Sequence, residues 1–330
     1  TGAEGFIGSW VAERLLNEGR QVVALRRDVE HSSRFRDEGI EQRCVLALAY
    51  LTDHDALVHV LNEHDVTEVF HLGARTIVGT VNRSPLTAWE TNVRGTWCLL
   101  EACRTLGTVP KVVVASSDKA YGAHDELPYR ESFPLRAQYP YDVSKACADM
   151  IARSYAATFS MAIAVTRLAN VYGPGDLSWS RLVPDTARAL ARGDAPVVRS
   201  DGTAERDFLY VEDAVDAYLA VGASLNDPVF YGRAWNAGWG KPVAVIDLVR
   251  GLIDVSGREV EPEVRGTGIP RGEIDRQYLD SSAIRSELGW EPKWELERGL
   301  RITWEWYERH LKSDLATPSK RGGRSFDRRT

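Results

Sequence analysis

The chain of 330 residues is long enough for one large α/β unit or for two smaller domains. Its net charge of −6 argues against a nucleic-acid-binding protein, and its apolar runs are shorter than the roughly 20 residues of a membrane span. Four scattered cysteines without metal-ligand spacing are typical of reduced thiols in a cytoplasmic protein. We therefore expect a cytoplasmic location, no metal, and neither a membrane nor a nucleic-acid partner.

Glycines at three-residue spacing open the chain. Gly2, Gly5 and Gly8 lead into a helical pattern over residues 9–18, and a strand is predicted over 21–25. Such glycines let the backbone approach a pyrophosphate at a helix amino end, so the pattern predicts a dinucleotide site. A turn of this kind ordinarily follows a hydrophobic strand, and none is present here. We therefore expect the sequence to begin one strand late.

Strands and helices alternate through the first half of the chain. This alternation predicts a Rossmann-type doubly wound parallel sheet in an α/β fold. The predicted strands are 21–25, 44–48, 66–72, 112–115 and 162–167, and the predicted helices are 9–18, 52–63, 86–106 and 141–159.

The character of the sequence changes after Asn170, where loops lengthen between helical patterns. This change predicts a smaller, partly interleaved C-terminal lobe. We expect a dinucleotide-binding domain over 1–170, a second lobe over 171–312 that partly returns to the first, and a disordered tail over 313–330. Helices are predicted in the lobe over 182–192, 211–221, 245–256 and 296–312.

Two short motifs carry most of the chemical information. Ser117, Asp118 and Lys119 follow a β-branched run that predicts a buried strand, and open α/β sheets bind ligands at this end of a strand. Tyr141 and Lys145 are four residues apart, which places them on one helix face. A cation beside a phenol favours the phenolate, a general base. An exposed helix pair and a surface ion-pairing loop are the alternatives.

The residues after the second predicted strand bear on the dinucleotide. A carboxylate at this position binds the adenosine ribose, whereas arginines accommodate a 2′-phosphate. Arg26 and Arg27 favour NADP. The alternatives are that Asp28 binds the ribose of NAD, or that the arginines are only solvated.

Together these motifs resemble an extended short-chain dehydrogenase/reductase of the NAD(P)-dependent sugar epimerase/dehydratase family. The resemblance extends from Thr1 to about His310. The motifs that carry it are Thr1–Gly8, His71–Ala74, Asn92–Thr96, Ser116-Ser117, Tyr141-x-x-x-Lys145, Asn170–Pro174, Arg206–Tyr210 and Leu288–Trp290.

Within this family the pair Asp118-Lys119 is similar to nucleotide-sugar 4,6-dehydratases of the CDP-glucose type. The arginine pair after the second strand is more similar to the GDP-mannose type. The resemblance therefore implies a 4,6-dehydratase, a lyase acting on a nucleotide sugar. A 4-epimerase or 4-reductase of the same family is the alternative, and a non-catalytic NAD(P)-binding sensor is a third.

The resemblance also implies site residues and a homodimer. The dimer would form through the helices predicted over 86–106 and 141–159, and the second lobe would bind the substrate. The implied cofactor-binding residues are Gly2, Gly5, Phe6, Ile7, Gly8, Arg26, Arg27, Leu51, Leu72, Gly73 and Ala74, with Tyr141 and Lys145. The implied substrate-binding residues are Asn170, Arg181, Arg206 and Arg276.

The implied mechanism gives each catalytic residue a separate role. Tyr141 removes the proton from the sugar O4, Lys145 lowers the pKa of Tyr141, and Ser117 hydrogen-bonds the same oxygen. Lys119 removes the C5 proton, and Asp118 protonates the departing O6. Neighbours on a strand point to opposite faces, so Asp118 and Lys119 can meet one sugar only if the chain turns there.

Overall fold

The computed structural model describes residues 1–28, 32–268 and 273–316. Its first half alternates strands and helices as predicted. The elements are α1 (Phe6–Asn17), β1 (Val23–Arg26), α2 (Arg34–Asp37), β2 (Val45–Leu48), α3 (His54–Glu63), β3 (Glu68–His71), α4 (Val78–Arg83), α5 (Leu86–Ala88), α6 (Gly95–Arg104), β4 (Lys111–Ser117), α7 (Pro140–Phe159) and β5 (Ile163–Leu168).

The second half adds short strands that the sequence pattern did not predict. The elements are β6 (Asn170–Tyr172), α8 (Leu182–Arg192), β7 (Val197–Val198), β8 (Glu205–Tyr210), α9 (Val211–Ser224), β9 (Ala234–Ala237), β10 (Pro242–Ala244), α10 (Val245–Ser256), β11 (Glu263–Val264), β12 (Arg276–Gln277), α11 (Ser282–Leu288) and α12 (Leu296–Ala316).

A four-stranded parallel sheet in the order β3-β4-β5-β9 forms the centre of the molecule. Side chains alternate between its faces, so Val113 packs with Val11 of α1 and Val215 of α9. Val112 packs on the opposite face with Leu99 of α6. Helices cover both faces, and the predicted doubly wound Rossmann-type sheet is confirmed. All of its carboxyl ends lie at one edge.

A second parallel sheet consists of β1 and β2. The first residues of the chain lie between the two sheets. The amino group of Thr1 donates to the carbonyl oxygen of Phe70 at 2.8 Å, the amide of Leu72 donates to Thr1, and Ala3 packs in one cluster with Ala24. The expectation that the sequence begins one strand late stays a prediction.

The prediction of one continuous α-helix over 86–106 is wrong. A π-helical segment, Trp89–Arg94, separates α5 from α6. Asn92 in this segment is buried, accepts from the amide of Arg75 at 2.7 Å, and donates to the hydroxyl of Ser144 at 2.9 Å. The wider turn directs the side-chain amide of Asn92 inward. Single π-helical turns occur frequently at functional sites.

The second lobe has its own apolar core, in which Val183, Leu190, Leu252 and Trp304 pack together. Its strand β9 nevertheless pairs with β5, and α9 packs on the central sheet. The domain boundaries stay predictions. Helix α12 extends to Ala316, past the predicted start of the tail, and residues 317–330 lie outside the described residues. Within the described ranges no helix combines the length and apolarity of a membrane span.

Candidate active site

A cleft of about 1250 Å³ extends along the carboxyl edge of the central sheet to the second lobe. Most predicted site residues lie in its wall, whereas Arg26, Arg206 and Arg276 do not. The predicted residues that line the cleft are Gly2, Gly5, Phe6, Ile7, Gly8, Arg27, Leu51, Leu72, Gly73, Ala74, Ser117, Asp118, Lys119, Tyr141, Lys145, Asn170 and Arg181.

The glycine turn at one end of the cleft has no room for side chains. Gly2 has a φ of 74°, and a Cβ there would lie 2.7 Å from the amide nitrogen of Gly73. A Cβ on Gly8 would lie 2.0 Å from the carbonyl oxygen of Gly2. Helix α1 begins directly at Phe6, and the residue before it, Gly5, offers no side chain to its first amides. This end of the cleft therefore fits the pyrophosphate of a dinucleotide.

The two arginines after β1 have different environments. The Arg26 guanidinium lies 2.8 Å from Glu41 and 2.5 Å from Glu4, and it does not line the cleft. Arg27 pairs with Asp28 at the cleft wall. Arg26 is therefore committed to two carboxylates, which the sequence pattern did not predict.

The chain leaves β4 at Ser117 and forms a 3₁₀ turn over Asp118–Tyr121. The Ser117 hydroxyl donates to a carboxylate oxygen of Asp118 at 2.9 Å and accepts from the amide of Lys119 at 3.2 Å. The turn brings Asp118 and Lys119 to the same cleft, as expected. Burial raises the pKa of Asp118, since its side chain is almost inaccessible to water.

A carboxylate from the second lobe approaches Lys119. Glu273 lies 3.9 Å from the Lys119 ammonium and 3.2 Å from the guanidinium of Arg206. Arg206 also donates to the carbonyl oxygens of Glu205 and Asp275. Thus the predicted substrate residue Arg206 holds a neighbouring carboxylate. The other outlying candidate, Arg276, is exposed and pairs with Glu205.

Tyr141 and Lys145 both lie in the cleft wall at the start of α7. The Lys145 ammonium donates to the carbonyl oxygen of Ala115 at 2.8 Å, and burial lowers its pKa to about 8. Burial raises the pKa of Tyr141 to about 12, partly offset by the charge of Arg181. Arg181 is the cation that lowers this pKa here, and the predicted lowering by Lys145 stays a prediction.

A buried ion pair supports both catalytic segments from beneath. Arg167 of β5 binds both carboxylate oxygens of Asp149 on α7, at 2.8 and 3.0 Å. It also donates to the hydroxyl of Tyr121, which donates to Asn236 at 2.7 Å. Through these bonds the turn after β4, helix α7 and strands β5 and β9 hold one another in place.

Two donors, on Asn170 and Arg181, lie in the wall of the cleft. The buried side-chain nitrogen of Asn170 has no hydrogen-bond partner among the described residues. Arg181 is held by Asp176 at 3.1 Å and by Thr76 at 2.8 Å, while about a third of its side chain stays exposed. A forked cation and an unused amide donor are suited to an anionic substrate.

The comparison with protein families shows the family to which the chain belongs. Residues 1–303 match the family model described as GDP-mannose 4,6 dehydratase. The chain belongs to this family. The match includes every residue of the cleft named above, so the extended short-chain dehydrogenase/reductase resemblance is confirmed.

The relatives of this chain are named for different activities. The chain is 30% identical over 316 residues to the UDP-glucose 4-epimerase of Mycolicibacterium smegmatis, covering 93% of this chain and 97% of that protein. It is 27% identical to a trifunctional UDP-glucose 4,6-dehydratase/3,5-epimerase/reductase of Arabidopsis thaliana, covering 99% of this chain. This chain spans about half the length of that relative.

A solved structure resembles this family member closely in backbone. The dTDP-glucose 4,6-dehydratase of Streptomyces venezuelae, solved with NAD bound, is 27% identical and superposes with a TM-score of 0.84. The match covers 94% of this chain and 97% of the other. Both comparisons agree with the Rossmann-type fold described above.

Sequence reasoning assigned no role to several residues in or beside the cleft. Asn92 occurs in a motif that carried the family resemblance, but no role was assigned to it. Asp142 follows Tyr141 directly, yet an acid in the first turn of a helix ordinarily indicates only a favourable dipole. Thr76 and Glu273 line the cleft from loops where no periodic pattern draws attention to them.

Proposed function

We propose that this family member is a nucleotide-sugar 4,6-dehydratase that converts an NDP-hexose to the NDP-4-keto-6-deoxyhexose. The observation that supports this most is the turn after β4. It brings a buried carboxyl that favours its proton, Asp118, and an amine, Lys119, to the cleft that also contains Tyr141 and Lys145. Loss of water from a sugar needs such an acid and base in addition to the oxidising pair.

Each residue has a task in the proposed reaction. Tyr141 reacts as the phenolate, a form that the Lys145 cation favours, and accepts the O4 proton, while Ser117 hydrogen-bonds that oxygen. Lys119 in its amine form takes the C5 proton, the C6–O6 bond breaks, and Asp118 gives its proton to O6, which leaves as water. Lys119 then returns a proton to C5 as C6 receives the hydride. Lys145 orients the cofactor ribose. A bound nicotinamide supplies the chemistry that accepts a hydride from C4 and returns it to C6.

The glycine turn, Leu51, Leu72 and Ala74 would hold this dinucleotide. We retain NADP as the proposed form, although only Arg27 of the arginine pair lines the cleft. Asp28 beside it and the NAD in the related structure support NAD as the alternative. Replacing Arg27 by Met should weaken NADP binding at least tenfold and leave NAD binding within about twofold, measured by calorimetry. Equal effects on both would exclude a 2′-phosphate contact.

A 4-epimerase is the second candidate, and the relative that is 30% identical supports it. Ser117, Tyr141 and Lys145 serve an epimerase equally well, because both reactions begin by oxidation at C4. Asp118 and Lys119 have no evident task in epimerisation. The product therefore discriminates between the two proposals.

The deciding assay supplies purified protein with a panel of CDP-, GDP-, UDP- and dTDP-hexoses. A dehydratase forms the 4-keto-6-deoxy product, which absorbs in alkali, without added reductant. A 4-epimer as the sole product would contradict the dehydratase proposal. Lys119→Met should abolish water loss while reduced nicotinamide still accumulates. Lys111→Met, on the opposite end of β4 with its ammonium bonded to Asn226, is the matched control.

We further propose a homodimer in the cytoplasm. Trp97 on α6 and Met150 and Phe159 on α7 expose 40%, 53% and 48% of their surface, an apolar display that supports pairing through these two helices. The four free cysteines support a reducing location. Light scattering should give twice the chain mass, and Met150→Glu should halve it. A wild-type monomer would contradict the dimer.

A further inference from the structure

Tyr50 is an aromatic residue in the wall of the cleft that the proposed reaction does not use. Its exposed fraction is 56%, and no side-chain hydrogen bond or ring contact joins its phenol to another described residue. A single exposed aromatic residue is ordinary on an open protein surface. In a cleft, however, aromatic side chains are typical of the walls that bind small molecules. The position of this ring therefore indicates a contact with a ligand.

The backbone of Tyr50 is fixed on both sides. The amide of Ala49 donates to the carbonyl oxygen of Arg26 at 3.0 Å, which continues the pairing of β1 with β2 by one residue. The carbonyl oxygen of Tyr50 accepts from the amide of Asp53 at 3.0 Å, and Asp53 is the amino cap of α3. Tyr50 is thus held at the carboxyl end of β2, beside the carboxyl end of β1. A ligand meets a residue whose backbone is already ordered, which favours binding.

Polar groups at the neighbouring strand end belong to the same part of the cleft. Arg27 and Asp28 directly follow β1, pair with each other, and line the cleft. Their side chains are 37% and 52% exposed, so both remain accessible to a ligand. A carboxylate or a forked cation at this position binds the hydroxyls or the 2′-phosphate of the adenosine ribose of a dinucleotide.

The order of the groups along the cleft determines which half of a dinucleotide reaches Tyr50. The glycine turn fits the pyrophosphate, which is the middle of the molecule. The nicotinamide half has to reach the sugar beside Tyr141 and Lys145, which line the cleft at the edge of the central sheet. Because the first residues of the chain lie between the two sheets, the other half extends toward the ends of β1 and β2. A base attached to the ribose at the end of β1 would then contact the end of β2, where Tyr50 lies.

We propose that the ring of Tyr50 stacks on the purine base of the dinucleotide and that this contact recognises the face of the base. The inference rests on the nicotinamide dinucleotide of the proposed function and does not depend on which sugar reaction follows. Every purine has a π face, so stacking tolerates changes in the exocyclic groups of the base. Loss of one such contact lowers affinity by about fivefold to a hundredfold. The contact belongs to the ring, so the phenol hydroxyl should be dispensable.

Calorimetric titration of the protein, freed of bound nucleotide, tests the proposal without turnover. Tyr50→Ala should bind NAD or NADP, whichever the wild type binds more tightly, about fivefold to a hundredfold more weakly, and Tyr50→Phe should bind it within about twofold of wild type. Tyr50→Leu should be nearly as weak as Tyr50→Ala, because leucine has apolar volume but no π face. Leu48→Ala is the matched control and should leave affinity unchanged, since Leu48 lies two residues earlier, is 73% exposed and does not line the cleft.

Two analogues of the dinucleotide test whether the face of the base is recognised. Nicotinamide hypoxanthine dinucleotide has an oxygen in place of the adenine amino group, and it should bind the wild type within about threefold of NAD. Nicotinamide mononucleotide lacks the purine, so Tyr50→Ala should bind it as the wild type does. A preference of about tenfold or more for adenine over hypoxanthine would show recognition of the base edge and overturn the proposal.

The proposal also fails if Tyr50→Ala binds the dinucleotide as tightly as wild type, if Tyr50→Phe is as weak as Tyr50→Ala, or if the mononucleotide is weakened equally. Dehydration product together with unchanged dinucleotide affinity in Tyr50→Ala overturns this inference alone. Weaker dinucleotide binding in Tyr50→Ala without product from any nucleotide sugar supports the stacking contact and rejects the dehydratase.

Discussion

The ammonium of Lys145 donates a 2.8 Å hydrogen bond to the carbonyl oxygen of Ala115. This bond joins the first turns of α7 to the end of β4, two residues before Ser117. A hydrogen bond from the Lys145 side chain to the backbone of β4 therefore joins the helix that carries Tyr141 and Lys145 to the strand that leads into the Ser-Asp-Lys turn. A change on either segment is expected to affect the other, and the predictions below are designed to separate these effects.

Tyr141→Phe is expected to lower formation of reduced nicotinamide and of product together, each by about a hundredfold to ten-thousandfold, because the O4 proton loses its acceptor. Stopped-flow absorbance and product assay measure the two steps. Tyr155→Phe is the control on the same helix, since its hydroxyl bonds Glu101 far from the cleft. If Tyr141→Phe slows only water loss, the phenol is not the base for oxidation.

Replacing Lys145 by Met should change how stability depends on pH. Burial lowers the Lys145 pKa from 10.5 to about 8, so between these values the unfolded chain binds more protons and wild-type stability rises with pH. The wild-type advantage over Lys145→Met should grow by about 3 kcal/mol from pH 7 to pH 10.5. Urea unfolding at both pH values measures it. A constant difference would show that burial does not lower the pKa of Lys145.

Asp118→Asn should separate water loss from oxidation. The amide cannot give up a proton, so product should fall at least a hundredfold while reduced nicotinamide still forms. Burial raises the pKa of Asp118, so its ionised form opposes folding at neutral pH, and the variant should be more stable than wild type at pH 7. This gain should vanish as pH falls and the wild-type carboxyl is protonated. Asp125→Asn, on the exposed loop that follows, should change neither quantity.

Removing one partner of the ion pair between Arg167 and Asp149 should destabilise the fold strongly, whereas replacing both partners by apolar residues should destabilise it little. Asp149→Leu alone strands a buried guanidinium and is expected to destabilise the fold by about 3–5 kcal/mol. The double replacement Arg167→Met and Asp149→Leu should recover most of this loss, because two apolar side chains then fill the space. Denaturant unfolding of the four proteins gives the coupling energy. Additive effects would show that the two charges do not depend on each other.

The sequence predicted the positions of Ser117, Tyr141 and Lys145 because they are set by local rules. A β-branched run ends at a known sheet edge, and two residues four apart on a helix share a face. The same rules predicted the alternation of strands and helices in the first half of the chain. Short strands of the second lobe, such as β6 and β10, were missed because three residues carry no readable period.

Three arginines predicted to bind cofactor or substrate do not line the cleft, because local sequence rules do not determine where a long side chain points. Arg26, Arg206 and Arg276 were predicted to bind cofactor or substrate, but carboxylates elsewhere in the fold determine their orientation. Arg26 at the end of β1 meets Glu41 in the 3₁₀ turn before β2, and Arg206 meets Glu273, 67 residues later.

The bidentate bond from Arg167 to Asp149 also fixes how far α7 is rotated about its own axis. Each residue advances an α-helix by about 100°, so the directions of Tyr141, Asp142 and Lys145 follow from that one anchor. Insertions in the loop before Pro140 should leave these directions unchanged. A single residue inserted between Lys145 and Asp149 would turn the ammonium away from Ala115, however well the helix still formed.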